Sequence, residues 1–200
     1  MNGTFRLFAV SIFALGSFAS LAAAKNVMIN PQAGVTFTHY TSDPNKITNS
    51  ARVGYSLGGN LRLGGKLYVS PGAYYQRTST QITEKDSLTL ATIRDVVGVN
   101  AVYIPLKLGV NLSSNAASAG SFGLRLYGGP SMTLVTSVSS NTLGLTKADY
   151  EGTSYGLEAG AGLDLSALTL DLSYEKGLSK VLQGSNTKQQ VIRATLGFRL

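Results

Sequence analysis

A period of two runs through most of this chain, and no other property restricts its fold as much. Tyr155, Leu157, Ala159, Ala161, Leu163 and Leu165 fall on one phase, against Gly156, Glu158, Gly160, Gly162 and Asp164 on the other. Leu168, Leu170, Leu172 and Tyr174 oppose Thr169, Asp171, Ser173 and Glu175, and Ile192, Ala194, Leu196, Phe198 and Leu200 oppose Arg193, Thr195, Gly197 and Arg199. Nearer the start, Val53, Tyr55, Leu57, Leu61 and Leu63 oppose Arg52, Gly54, Ser56, Gly58, Asn60 and Arg62. Successive side chains of a strand point to opposite faces, so strict alternation of this length specifies β-strands.

Eight such segments are expected, at 27–40, 51–63, 66–78, 97–112, 122–137, 154–166, 168–180 and 188–200. A strand of a globular protein has about 5–6 residues. A tilted membrane-spanning strand needs about 9–11. These segments meet or exceed the second length. Their connections alternate. Gly64-Gly65 and residue 167 are minimal links and 113–121 is rich in small residues, whereas 41–50, 79–96, 138–153 and 181–187 are longer or more polar. Short periplasmic turns and longer outer loops are a property of transmembrane β-barrels. The segment Leu88–Arg94 either extends the fourth strand or forms an extra hairpin, so ten strands stand beside eight.

The polar phase decides between a membrane barrel and a soluble one. It carries glycines together with charges of both signs: Arg52, Arg62, Lys66, Lys107, Arg125, Arg193 and Arg199 against Glu158, Asp164, Asp171 and Glu175. An eight-strand barrel is just wide enough for its interior to be filled by side chains. Paired charges and glycines fill it without stranding polar groups. The apolar phase then forms a lipid-facing belt, with Phe37, Tyr55, Tyr75, Tyr155 and Tyr174 toward the long-loop end and Phe122 and Phe198 toward the short-turn end. Aromatic girdles at both interfaces are expected of such barrels. A soluble, lipocalin-like exported barrel is the alternative, and it requires the opposite arrangement. Two irregularities are expected. Pro31, Pro71, Pro105 and Pro130 belong at bulges or strand ends, because proline cannot donate to the ladder. The phase slip in the fourth segment calls for a bulge near Ala101.

Residues 7–24 carry no charge, follow Arg6 and end in Ala22-Ala23-Ala24, a small-x-small pattern with Ala22 and Ala24 at the cleavage positions. This predicts a secretory signal peptide over 1–24 and a barrel domain over 25–200. The 200-residue chain has no cysteine, which excludes disulfide scaffolds and thiolate chemistry, and His39 is its single histidine. Its net charge of +7 comes from dispersed basic residues, which suit anionic lipid headgroups better than nucleic acid.

From residue 97 onward the chain resembles a known family. The residues that carry the resemblance are Tyr103-Ile104-Pro105-Leu106-Lys107-Leu108, Tyr127-Gly128-Gly129-Pro130, the run Gly156 to Leu163, Tyr174-Glu175-Lys176-Gly177-Leu178-Ser179 and the closing Leu196-Gly197-Phe198-Arg199-Leu200. The chain resembles the outer membrane β-barrel domain of porin-family and PorT-like proteins of Bacteroidota. The resemblance implies an all-β, eight-stranded antiparallel up-and-down transmembrane barrel in the cell outer membrane, inserted by the barrel-assembly machinery. That machinery reads a final aromatic, and here Phe198 stands two residues before Leu200. The family implies no single activity.

Candidate chemistry is sparse. His39 near the outer end of the first strand, with Ser56 or Ser79, would be the start of a lipid A-modifying site, but no motif supports it. The glycine pairs match neither GxGxxG nor GxxxxGK[ST]. No catalytic, cofactor-binding or metal site is expected. The expected function is a structural, adhesive or loop-mediated binding role without a porin-sized channel. Outer membrane lipids and lipopolysaccharide are the expected surroundings, and the ligand at the outer loops is unknown. A narrow channel or small-solute transporter is the alternative, and a lipid A-modifying enzyme a further one.

Overall fold

A computed structural model describes residues 27–41, 48–85, 92–112, 122–139, 151–181 and 188–200. They form eight strands: β1 (Val27–Thr41), β2 (Thr48–Gly64), β3 (Leu67–Lys85), β4 (Thr92–Asn111), β5 (Phe122–Val138), β6 (Thr153–Leu165), β7 (Leu168–Gly177) and β8 (Lys188–Phe198). Each pairs antiparallel with its sequence neighbours, and β8 returns to β1 to close the barrel. Beyond the strand pairing, Ile29 and Leu200 exchange both backbone hydrogen bonds across the same seam.

Eight strands, not ten, make the barrel. Leu88–Arg94 forms no extra hairpin: β3 and β4 pair continuously out to Lys85 opposite Thr92. Most of the expected loop at 79–96 is therefore strand. Its sequence, rich in threonine and isoleucine, favours strands. It lacks the alternation seen lower down, which only a strand with one face in lipid must keep. At the opposite end β2 and β3 are joined by Gly65-Lys66, with Gly64 at a φ of 126° that a side chain would resist. Lys66 is exposed at this turn and does not join the polar interior. β6 and β7 are joined by Ser166-Ala167, with Ser166 at a left-handed φ of 57°.

The burial pattern is inverted relative to a soluble protein. Buried positions hold Asn30, Gln32, Gln76, Arg125, Glu158, Asp164 and Arg193, whereas Leu57, Leu108, Leu126, Leu172, Ile192 and Leu196 are exposed on the outer face. A continuous apolar exterior of this kind belongs in lipid. It sets the lipocalin-like alternative aside. The seven girdle aromatics Phe37, Tyr55, Tyr75, Phe122, Tyr155, Tyr174 and Phe198 all face outward. Phe122 and Phe198 pair with Leu165 and Leu168 beside the Ser166-Ala167 turn. Phe37, Ile192 and Tyr174 form one row across β1, β8 and β7 toward the other end.

The irregularities differ from expectation. All four prolines lie inside strands, with no change of register around them. Each occupies an interruption of one ladder. The preserved offsets put Pro31 opposite Phe198, Pro71 opposite Leu61, Pro105 opposite Gly72 and Pro130 opposite Leu106, and none of these is a bonded register pair. A missing N–H is accommodated by a local gap rather than by a bulge. The slip at Asn100/Ala101 is present, but the extra residue is on β5, where Asn100 pairs with Ser137 and Ala101 with Val135. Thr136 is left over, and its hydroxyl donates to the Asn100 carbonyl at 3.0 Å. β4 itself keeps its phase, so Val99 and Ala101 point inward with Tyr103. A second bulge, between Ala51 and Tyr55 of β2, left no signal in the residue pattern.

Candidate functional site

The barrel interior is the largest assembly of polar groups in the described structure. The alternation aims Arg62, Lys107, Arg125, Glu158, Asp164, Asp171, Glu175, Arg193 and Arg199 into it. Arg52 stands opposite the buried Thr38 in register, but its side chain lies outside the described part, as do Ala22 and Ala24.

Toward the short-turn end three cations surround one fully buried carboxylate. Asp164 Oδ2 accepts from Arg62 Nη1 at 2.9 Å, Arg125 Nε approaches Asp164 Oδ1 at 2.9 Å and Arg199 Nη1 lies 3.8 Å away. Arg125 also reaches Asp171 Oδ1 at 3.1 Å. Its pairing with Asp164 is ionic rather than an aligned hydrogen bond, since neither atom meets hydrogen-bond geometry. Arg62 lies 5.4 Å over the Tyr68 ring. Next comes a neutral layer. Gln32 Nε2 donates to Asp171 Oδ2 at 2.6 Å, and Gln32 Oε1 accepts from Tyr74 Oη at 2.6 Å and Asn60 Nδ2 at 3.2 Å.

The upper layer centres on Arg193. Its Nη1 lies 3.4 Å from Glu158 Oε1, and its Nη2 donates to Glu175 Oε2 at 3.2 Å and Gln76 Oε1 at 3.1 Å. Its guanidinium sits 3.9 Å over the Tyr103 ring, whose hydroxyl donates to Glu158 Oε2 at 2.8 Å. Lys107 Nζ completes the Glu158 site at 3.6 Å and lies 4.7 Å over Tyr127. Buried carboxylates are tolerated only when paired and hydrogen-bonded in this way. Chemically the lumen is a set of cross-links between strands. β6 and β7 supply the carboxylates, β2, β4, β5 and β8 the cations, with Arg199 just past the end of β8.

A sequence reading based on charge missed the neutral half of this interior. Tyr68, Tyr74, Asn30, Gln32, Asn60 and Gln76 are all buried there. The usable signal was phase: each lies on the alternation of its strand opposite the outward-facing residues. His39 faces outward while Ser56 is buried in the lumen, so the barrel wall separates them and they form no dyad. The side chain of Ser79 lies outside the described part.

The comparison that decides the family is a match to the model described as the outer membrane protein beta-barrel domain, over residues 18–183. The chain belongs to this family. It is thus an outer membrane barrel, located in the outer membrane. Its likeness to solved structures is one of fold. Ail, the attachment invasion locus protein of Yersinia pestis, in complex with the heparin analogue sucrose octasulfate, is 16% identical with a TM-score of 0.50, covering 88% of this chain and 99% of Ail. Neisserial surface protein A is 14% identical with a TM-score of 0.49, over 86% of this chain and 97% of that one. The N-terminal β-barrel domain of Pseudomonas aeruginosa OprF is 10% identical with a TM-score of 0.45, over 86% and 97%. No curated protein matches the sequence.

Proposed function

We propose that this outer membrane barrel is a non-enzymatic surface protein, a rigid plugged anchor that presents its outer connections to a binding partner. The observation that carries this reading is the Arg193–Glu158–Glu175 cluster with Tyr103 and Lys107, which ties β4, β7 and β8 to β6 across the lumen. Moving a solute past it requires breaking buried ion pairs, each several kcal/mol when a partner is lost, at about 3–5 kcal/mol. Binding then falls to the residues around 42–47, 86–91, 140–150 and 182–187, which join the strands at the long-loop end. Residues 1–24 act as the export signal and are removed at Ala24, and insertion proceeds through the barrel-assembly machinery.

Planar-bilayer recordings of the purified barrel test the plugged lumen, with no unitary steps above the lipid baseline expected. Discrete conductance would instead support the narrow-channel alternative. Deleting the four outer connections in turn, with cell or surface binding as readout, tests the second half. Binding unchanged by every deletion would end the loop-mediated reading. An altered lipid A mass spectrum on overexpression would overturn the non-enzymatic one.

A further inference from the structure

Among the described residues, the outer surface of β7, β8 and β1 gathers exposed lysines at the long-loop end. Just above the row Tyr174, Ile192 and Phe37 stand Lys176, Gln190 and His39, which are also neighbours in register. Lys188 pairs with Thr41 one step higher. Lys176, Lys188 and His39 are exposed, as is Lys180 beyond the end of β7. Among the described residues none of these lysines forms an ion pair. The carboxylates of β6 and β7 all point into the lumen, so they do not offset this charge. At the same end, the described outward positions of β4 and β5 carry neutral residues such as Asn100 and Thr136, and Arg77 on β3 donates to the Ser139 hydroxyl at 3.1 Å.

A second feature lies directly below, on the same strands and the adjoining β6. Ala33, Ala161 and Ala194 are short where their neighbours Val35, Leu172 and Leu196 are long, and they leave an apolar groove of about 660 Å³ in the outer face. Leu172, in the groove, and Lys176 are four residues apart on β7, roughly 13 Å along the strand. An apolar channel capped by cations at that separation fits an amphiphile whose acyl chain lies along the barrel and whose headgroup is a phosphate.

We infer that β7, β8 and β1 form a specific site for a phosphorylated lipid of the outer leaflet, with Lys176, Lys188 and His39 on the phosphate and the alanine-floored groove on an acyl chain. This rests on the outer membrane location and deepens the expected lipid contact into a site. It does not depend on what the outer connections bind. Each lysine near a lipid surface adds attraction for an anionic headgroup, so removing two weakens retention by roughly tenfold or more.

The test is native mass spectrometry of the folded full chain in detergent, titrated with bisphosphorylated lipid A or with the same lipid dephosphorylated. Wild type is expected to retain the phosphorylated form at least roughly tenfold better. The triple variant Lys176→Gln/Lys188→Gln/His39→Gln loses that preference, and Ala194→Leu, which fills the groove, lowers retention of both forms. Lys66→Gln, at the opposite end, matches wild type. A heat-modifiable gel shift verifies that each variant is folded. Equal retention of both lipids by wild type, or an unchanged preference in the folded triple variant, would overturn the site. Full competition by millimolar inorganic phosphate would also overturn it, by assigning the cations to a free anion. Loop deletions leave the result unchanged, which separates this inference from the loop-binding reading.

Discussion

Glu158 and Glu175 stand directly opposite one another across β6 and β7, and the single guanidinium of Arg193 from β8 reaches both. Like charges facing each other across a strand pair destabilise it. The β6–β7 pair therefore carries an internal repulsion that Arg193 of β8 relieves at both carboxylates and Lys107 of β4 relieves at Glu158. Arg193→Met is expected to lower stability by about 3–5 kcal/mol, because it leaves two buried carboxylates short of their cation. Glu175→Gln removes the repulsion while keeping a hydrogen-bond acceptor and stays within about 1 kcal/mol of wild type. Glu158→Gln is worse than Glu175→Gln, since Lys107 loses its carboxylate. Urea unfolding in detergent, followed by the gel shift of the folded form, gives all three values.

Gly162 faces Asp171 in register, and a Cβ there would fall on Asp171 Oδ1 and 2.6 Å from Arg125 Nη2. Gly162→Ala must push these partners apart, at an expected cost of about 2–4 kcal/mol. Gly152 has nothing within 4 Å of its Cβ position, so Gly152→Ala changes stability by less than about 0.5 kcal/mol. Equal midpoints for the two variants in the same unfolding assay would contradict the packing around Arg125.

The left-handed Ser166 is the one described non-glycine residue with positive φ. Asparagine tolerates this conformation better than serine. Ser166→Asn is expected to stabilise the barrel by about 0.5–1 kcal/mol and to leave its strand pairing unchanged. Hydrogen exchange across β6 and β7 reads both effects.

Outward positions should respond to charge according to depth. Leu172→Arg, in the middle of the apolar belt, is expected to cost about 2–4 kcal/mol, and Phe198→Arg, in the girdle at the short-turn end, about 0–1 kcal/mol. Refolding yields into lipid vesicles measure the difference. A reversed order would move the membrane boundary.

The strands were legible because lipid on one side and a packed lumen on the other force every side chain to choose a face. That pressure wrote the sequences of β6, β7 and β8 almost residue by residue. It ends beyond the lipid belt, which is why the upper part of β3 and β4 reads as loop. Proline statistics misled for another reason. They describe sheets in which a lost bond is expensive, and this barrel leaves local gaps around all four prolines. Charge identified the salt-bridged half of the interior, whereas Gln32, Asn60 and Tyr74 bond chiefly to one another and to Asp171. Neutral polar residues carry no such mark beyond their phase.

β3 and β4 pair with each other as far as Lys85 opposite Thr92, and β2 follows β3 up to Thr48 opposite Thr83. β1 stops pairing with β2 at Thr38 opposite Arg52, and β5 leaves β4 at Val138 opposite Val99, yet Thr80 to Lys85 still pair with Val97 to Thr92. Lys85 and Thr92, the strand ends that flank 86–91, are thus carried on a sheet of β2, β3 and β4 with its own hydrogen bonds. Foreign sequence spliced there would be insulated from barrel closure, since lengthening a surface connection adds little closure entropy. The molecule lends itself to use as a display scaffold, carrying an epitope or a small folded module between the paired ends of β3 and β4.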